Sequence, residues 1–257
     1  MRVRLHRWGA GPPVIFLHGW TMTGAIWAPV AGRLGAASLA PDLPGHGGTT
    51  GHAPDMAGGV SLLRDLIQAE GLHDATLVGW SLGALIGWRY LAQGGTGIAR
   101  MVSLDMSPRP LPAPGWDFAM RGQNADKAAR GAARFRSDWP GAARAIAQGM
   151  FADPEGCAAL TAIEAERLIR AQDPMAMAAF WDSLTAEDLR DAIPAITVPL
   201  LAIHGAQSRV YPPATGAWIA RTAPEGQARV LAGCGHAPHL EDPDAVAAAI
   251  QNVLASA

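Results

Sequence analysis

Ala75-Thr76-Leu77-Val78-Gly79-Trp80-Ser81-Leu82-Gly83-Ala84-Leu85-Ile86-Gly87-Trp88 is the stretch on which the reading of this chain turns. An apolar run suited to a buried strand leads into Gly-x-Ser-x-Gly, and a helix-prone run follows at once. A nucleophile elbow has this order of strand, turn and helix. Its serine must stand in a sharp, strained turn, and a Cβ two residues to either side would collide with the flanking elements. Such a turn lifts the Ser81 hydroxyl above the sheet. It also aims the N-terminus of the next helix at any negative charge that develops there. The chemistry implied is acyl transfer by Ser81.

Outward from the elbow, strand and helix patterns alternate. Strands are expected at 3–8, 14–17, 37–40, 76–78 and 101–104, and helices at 25–34, 56–70 and 82–93. Two more strands, at 200–203 and 228–231, and a closing helix over 244–254 complete the pattern. The fold class expected is α/β, with a mostly parallel sheet flanked by helices. From Ser107 the pattern changes: Pro108, Pro110, Pro112 and Pro114 break the chain, and alanine-rich helical periodicity then runs to about Ile196. This predicts a core of residues 1–106 and 197–257 and an all-helical cap of residues 107–196, inserted after the sixth strand of the sheet. Open α/β sheets bind ligands at their C-terminal edge, so a cap there would shape the pocket and exclude water.

The 257 residues suit one large core, and 49% apolar against 16% charged residues describes a globular chain. A formal net charge of −2 gives no general reason to expect nucleic acid. No run approaches the roughly 18 apolar residues of a membrane span, and residues 1–7 lack the apolar centre of a signal peptide. A cytoplasmic location is therefore expected. Cys157 and Cys234 form no disulfide or metal pattern, and no metal or other cofactor is expected.

A serine nucleophile needs a base, an acid to orient it, and donors for the tetrahedral oxyanion. His236, in Gly235-His236-Ala237-Pro238 between the last strand and the last helix, is placed to be the base. His239 makes a His-x-x-His spacing, but a proline-containing loop is not the helical setting of a zinc pair. The oxyanion donors expected are the backbone N–H of Trp20, in His18-Gly19-Trp20, and that of Leu82. His18 is expected to brace its loop, and Asp42-Leu43-Pro44-Gly45-His46-Gly47 to form a turn with Asp42 paired locally.

His18-Gly19-Trp20, the Asp42–Gly47 run, Gly79–Gly83 and Gly235–Pro238 together resemble the α/β-hydrolase superfamily over nearly the whole chain outside the cap. The tryptophans of the first and third motifs are similar to those of BioH-type carboxylesterases. That resemblance implies hydrolysis of a pimeloyl-acyl-carrier-protein methyl ester in biotin synthesis. Relatives place an aspartate after the strand equivalent to 200–204, four residues before a proline. Here the run is Gly205-Ala206-Gln207-Ser208-Arg209-Val210-Tyr211-Pro212, and Ser208 stands in the acid's place. Asp105, at the exit of the 101–104 strand, is the replacement the sequence offers. Two other readings are a neutral partner at Ser208 or Gln207, and a pocket that binds without hydrolysing.

Between Arg109 and Arg144 the cap carries seven basic and three acidic residues, a balance of +4. Arg121, Arg130, Arg134, Arg136 and Arg144 are candidates to dock an acidic acyl carrier protein; a plain solvated face is the alternative. Trp80, Trp116, Phe135, Trp139 and Trp181 are candidates for a pocket wall that would favour an apolar acyl or aryl group. The function expected is a serine carboxylic-ester hydrolase. Other small esters, lactones, thioesters or C–C bonds are alternative substrates, and a non-catalytic binding protein is the rival of another class.

Overall fold

The computed structural model describes residues 2–255. Seven strands form one sheet: β1 (Leu5–Trp8), β2 (Pro13–Leu17), β3 (Ala37–Pro41), β4 (Ala75–Trp80), β5 (Ile98–Leu104), and then β8 (Leu200–Gly205) and β9 (Gly226–Leu231). Their spatial order is β1-β3-β2-β4-β5-β8-β9, with β1 antiparallel to β3 and every other pair parallel. Each residue of β4 is buried, as a central strand covered on both faces requires, and this accounts for its unbroken apolar sequence.

Helices cover both faces. The short α1 (Ala28–Ala31) follows a 3₁₀ turn at Gly24–Trp27, in place of the single longer helix expected over 25–34. Helix α2 (Met56–Ala69) starts where the Asp55 carboxylate accepts the Gly58 N–H at 2.7 Å. Helix α3 (Leu82–Ala92) follows the elbow and is apolar almost all round because it lies against the sheet.

The excursion over the sheet leaves β5, the fifth strand in chain order and not the sixth. It holds α4 (Ala125–Ser137), α5 (Trp139–Gly149), α6 (Ala162–Arg170) and α7 (Pro174–Thr185). It is not all-helical: β6 (Gly156–Cys157) and β7 (Leu160–Thr161) make a small antiparallel hairpin before α6. Helix α4 packs on α7, and α5 on α6. Only Ala128, Ala132 and Phe135 of α4 are buried, one stripe at helical spacing, so its arginines fall on the outer and rim faces. The chain then returns through β8, α8 (Ala214–Thr222) and β9 to the short α9 (Pro238–Glu241) and α10 (Pro243–Ala255). Among the described residues, no helix is long and apolar enough to cross a membrane.

Candidate active site

Three non-glycine residues among those described have positive φ: Thr21 at 72°, Ser81 at 51° and Asp105 at 44°. They lie in the loop after β2, directly after β4 and directly after β5, all at one edge of the sheet. Such conformations cost of order 1–3 kcal/mol each and persist only where the surroundings impose them. At Ser81 the imposing groups are visible. A Cβ on Gly79 would lie 2.6 Å from the Ala84 nitrogen, and one on Gly83 would overlap the Leu17 carbonyl of β2. Strand and helix can thus close on the serine only across glycines, and the Ser81 N–H is fixed to the Leu104 carbonyl at 2.9 Å.

From Ser81 a chain of hydrogen bonds runs inward. The hydroxyl faces His236 Nε2 at 3.2 Å, and His236 Nδ1 faces Asp105 Oδ2 at 2.6 Å. Asp105 is wholly buried. Its Oδ2 also accepts the Ser208 hydroxyl at 2.7 Å, and its Oδ1 accepts the Gly205 N–H at 3.2 Å. Ser208 therefore contacts Asp105, not the histidine. The His236 backbone is pinned as well: its N–H donates to the Met150 carbonyl at 3.1 Å and its carbonyl accepts the Trp80 indole N–H at 2.6 Å.

Two neutral histidines hold the opposite flank. The Leu43 N–H donates to His18 Nε2, so Nδ1 carries the proton and donates to the Gly19 carbonyl, both at 2.8 Å. By the same logic His46 Nε2 accepts the Thr21 N–H at 3.2 Å and its Nδ1 donates to the Pro44 carbonyl at 2.9 Å. Burial, and then the adjacent His46, holds His18 well below the usual imidazole range; burial pushes His46 down to about 4. His18 braces its loop as expected. Asp42 is not paired locally: Oδ1 accepts the Gly24 N–H at 2.8 Å and faces His6 Nε2 at 2.9 Å, which ties the turn to β1.

His239 takes no part in a pair with His236. Its ring lies tilted between Trp27 and Trp80, with centroids 4.5 Å from each, and burial pushes it down to about 3. Among the described residues, no cluster of three or more His, Cys, Asp or Glu is arranged to hold a metal.

A family model described as the alpha/beta hydrolase family matches residues 14–249. The chain belongs to that family. It is an α/β-hydrolase of the esterase type. It is 29% identical over 256 residues to a pimeloyl-acyl-carrier-protein methyl ester esterase of Aromatoleum aromaticum, covering 95% of this chain and 98% of that protein. A protein of the same name from Stenotrophomonas maltophilia is 30% identical over 254 residues, covering 96% and 94%. Among solved structures, an esterase from Exiguobacterium antarcticum superposes with a TM-score of 0.90 at 22% identity, over 98% of this chain and 95% of that one.

In this hydrolase the cap and core enclose a cavity of about 370 Å³ above Ser81 and His236. Of the expected wall residues, Trp80, Phe135 and Trp181 line it, and so does Trp20. Trp20 sits 5.0 Å, centroid to centroid, from both Phe135 and Trp181, and its indole N–H donates to the Met177 carbonyl of α7 at 2.9 Å. Leu82 contributes no wall. Its side chain is buried, but as the first residue of α3 its N–H has no partner within the helix.

Two wall expectations fail. Trp139, at the start of α5, turns into the α4–α5 seam against Phe135 at 5.9 Å and stands behind the lining. Trp116 lies farther off: its indole meets Trp218 of α8 edge-on at 4.9 Å and donates to the Arg109 carbonyl at 2.9 Å, closing a turn of the cap onto the core.

The arginines also divide. Arg134 pairs with Asp138 at 3.1 Å, Arg136 with Asp182 at 2.8 Å and Arg144 with Glu166 at 3.4 Å. Asp182 and Glu166 lie outside the segment whose charges were summed, so the balance of +4 overstates the free charge. Among the described residues, Arg121 and Arg130 have no ion pair. Arg121 and Arg134 line the cavity, as does Arg209, and the lining includes no carboxylate.

Sequence reasoning missed Arg209, Tyr211 and Met150 of the lining, and it missed Glu241 altogether. Glu241 accepts the Ala152 N–H on one oxygen and the Gly235 N–H on the other, both at 2.7 Å, and so ties the cap to the loop of His236. Burial raises its carboxyl above the usual range. Arg209 and Tyr211 were within reach, since both stand in the run where Ser208 takes the place of the expected aspartate. Met150 and Glu241 carry no pattern that spacing could reveal.

Proposed function

We propose that the protein is a serine carboxylic-ester hydrolase working through an acyl-enzyme, with the cap of residues 107–196 as the lid of its pocket. The observation that carries this is the unbroken hydrogen-bond chain Ser81–His236–Asp105 at the floor of the cavity. Ser81 Oγ attacks the ester carbonyl as His236 Nε2 takes its proton. The Trp20 and Leu82 N–H groups receive the oxyanion, each worth about 3 kcal/mol of transition-state stabilisation. His236 returns the proton to the departing alcohol, then activates water to release the acid. Asp105 keeps the Nδ1 proton in place and stabilises the imidazolium in each half-reaction.

The substrate we assign is a pimeloyl-acyl-carrier-protein methyl ester. The names of the two relatives support this, as does a largely apolar cavity whose charged lining residues, among those described, are Arg121, Arg134 and Arg209. The apolar wall suits the acyl chain, and the arginines suit an anionic carrier at the mouth. Two measurements test the reading. A fluorophosphonate should label the wild type at Ser81 and leave Ser81→Ala unlabelled, and methanol release from the carrier ester should exceed that from its free dimethyl ester. An unlabelled wild type sinks the mechanism; no preference for the carrier ester sinks the substrate.

A further inference from the structure

The short helix α9 begins just after His236, at Pro238, and turns the chain so that its last residue, Glu241, faces the loop it has just left. The half-buried Glu241 carboxylate accepts the Gly235 N–H on one oxygen and the Ala152 N–H of the cap on the other, both at 2.7 Å. We propose that Glu241 is a positioning residue for His236, and that through it residues 150–152 of the cap hold the base as well as line the pocket. This inference rests on the triad reading above.

What meets at this seam calls for a carboxylate. A Cβ on Gly235 would lie 2.4 Å from the Ala152 nitrogen and 2.5 Å from the Phe151 carbonyl carbon, so two backbones touch with no room for a side chain. Both strands of the contact present an N–H, and two donors cannot satisfy one another. A group with two acceptor oxygens and no donor resolves the conflict; an amide would offer one oxygen and turn a donor toward the other N–H. The far side of the loop is equally tight, since a Cβ on Gly205, at the end of β8, would lie 2.0 Å from the Gly235 carbonyl oxygen. The loop is wedged between sheet and cap.

Successive backbone groups then fix the base. The Gly235 N–H goes to Glu241, the His236 N–H to the Met150 carbonyl at 3.1 Å, and the His236 carbonyl to the Trp80 indole N–H at 2.6 Å. The last of these leads to the core beneath Ser81. The other two lead to the cap, one directly and one through Glu241. The Ala152 carbonyl is held in turn by Arg209 Nη2 at 3.1 Å, so residue 152 is tied on both sides. His236 Nε2 stands 3.2 Å from Ser81 Oγ, the long end of a hydrogen bond, so a small shift of the loop interrupts the proton transfer that acylation needs.

The experiment measures kcat and KM for p-nitrophenyl acetate, and the rate at which a fluorophosphonate labels Ser81, in wild type, Glu241→Gln and Glu241→Ala. Turnover is referred to the sites labelled at completion, so a loss of folded protein does not pass for a loss of rate. An acetyl group is too small to need the α5 wall, and a cap that only lines the pocket would leave its kcat alone. As a positioning residue, Glu241→Gln should lose about tenfold in kcat and Glu241→Ala about 10²-fold, for one and two bonds to a charged group, with KM within about twofold of wild type. Labelling should slow by the same factors, because His236 activates Ser81 in both reactions. Glu241→Ala within about threefold of wild type in kcat, or a loss confined to KM, overturns the proposal. If Glu241→Ala does not fold, Glu241→Gln decides by the same limits. A wild type that the probe leaves unlabelled overturns the triad reading instead, and the role of Glu241 with it.

Discussion

The two flanks of Ser81 are held by different physics. On the β2–β4 side, backbone packs on backbone through Gly79 and Gly83, and the supporting histidines, His18 and His46, are neutral donor–acceptor links. On the β5–β8 side, one buried charge is held by convergent donors, none of which touches it through van der Waals fit alone. The first flank admits almost no other residue type at its contact points. The second needs only that a carboxylate and enough donors meet beside His236. Steric constraint freezes sequence, whereas electrostatic constraint leaves room for the acid to come from another strand.

That contrast is most sharply tested by pairing Asp105→Asn with Gly83→Ala. Asparagine tolerates the positive φ of residue 105 and nearly keeps its shape, so the fold should stand while kcat drops about 10³-fold or more. Alanine at 83 meets a backbone carbonyl that cannot swing aside, which places it at the upper end of the roughly 1–3 kcal/mol of overpacking, or beyond. Tm should fall by several degrees, on the order of 2–4 °C per kcal/mol, and a displaced Ser81 should cost about 10²-fold in kcat. A Gly83→Ala protein with wild-type Tm, or an Asp105→Asn protein that unfolds early, would break the division between flanks.

Within the neutral flank, His239 permits a test of smaller size. Its buried ring lies between two indoles, and neither nitrogen has a hydrogen-bond partner among the described residues. Its folded pKa, about 3, lies below the ordinary value of 6.5. Between those values the unfolded chain binds a proton that the folded one refuses. Its stabilising contribution is therefore complete above about 6.5 and drains away as pH falls toward about 3. His46, pushed down to about 4, acts in the same direction. Urea unfolding of His239→Leu between pH 4 and 6 should show a slope shallower than wild type by about 1.4 kcal/mol per pH unit, the value of one proton. Parallel slopes would mean that the ring is charged in the folded protein.

The same distinction explains what could be read in advance. The elbow, the buried central strand and the turn of His18 and Gly19 were legible because each imposes residue types at fixed spacing around Ser81. Asp105 was legible as a replacement, since a strand exit beside the nucleophile is a rigid platform, but Ser208 was read either as a gap or as a partner of the histidine, whereas it donates to Asp105. Its role as a donor depends on Val210 and Tyr211 occupying its lone pairs, which spacing does not reveal. The cap was least legible. Whether an arginine there is free depends on Asp182 and Glu166, brought in from other helices, and Trp116 is claimed by Trp218 of α8 across the cap–core seam.

Pairing should therefore matter more than charge count at the mouth of the cavity. Arg121 lines the cavity and has no ion pair among the described residues, whereas Arg136 already faces Asp182. If an acidic carrier docks here, Arg121→Gln removes a charge that no described carboxylate neutralises. Its KM for a carrier-linked ester should rise about fivefold, the scale of about 1 kcal/mol for an exposed pair, and the effect should shrink as salt is raised. Arg136→Gln releases Asp182 as it removes its own charge, so the local sum falls by the same unit from a nearly neutral pair. Its effect should stay within about twofold, because the field the carrier meets at the mouth is set by the unpaired cation. Equal KM shifts for the two variants would show that total charge alone governs the approach; no shift for either would place the carrier elsewhere on the cap.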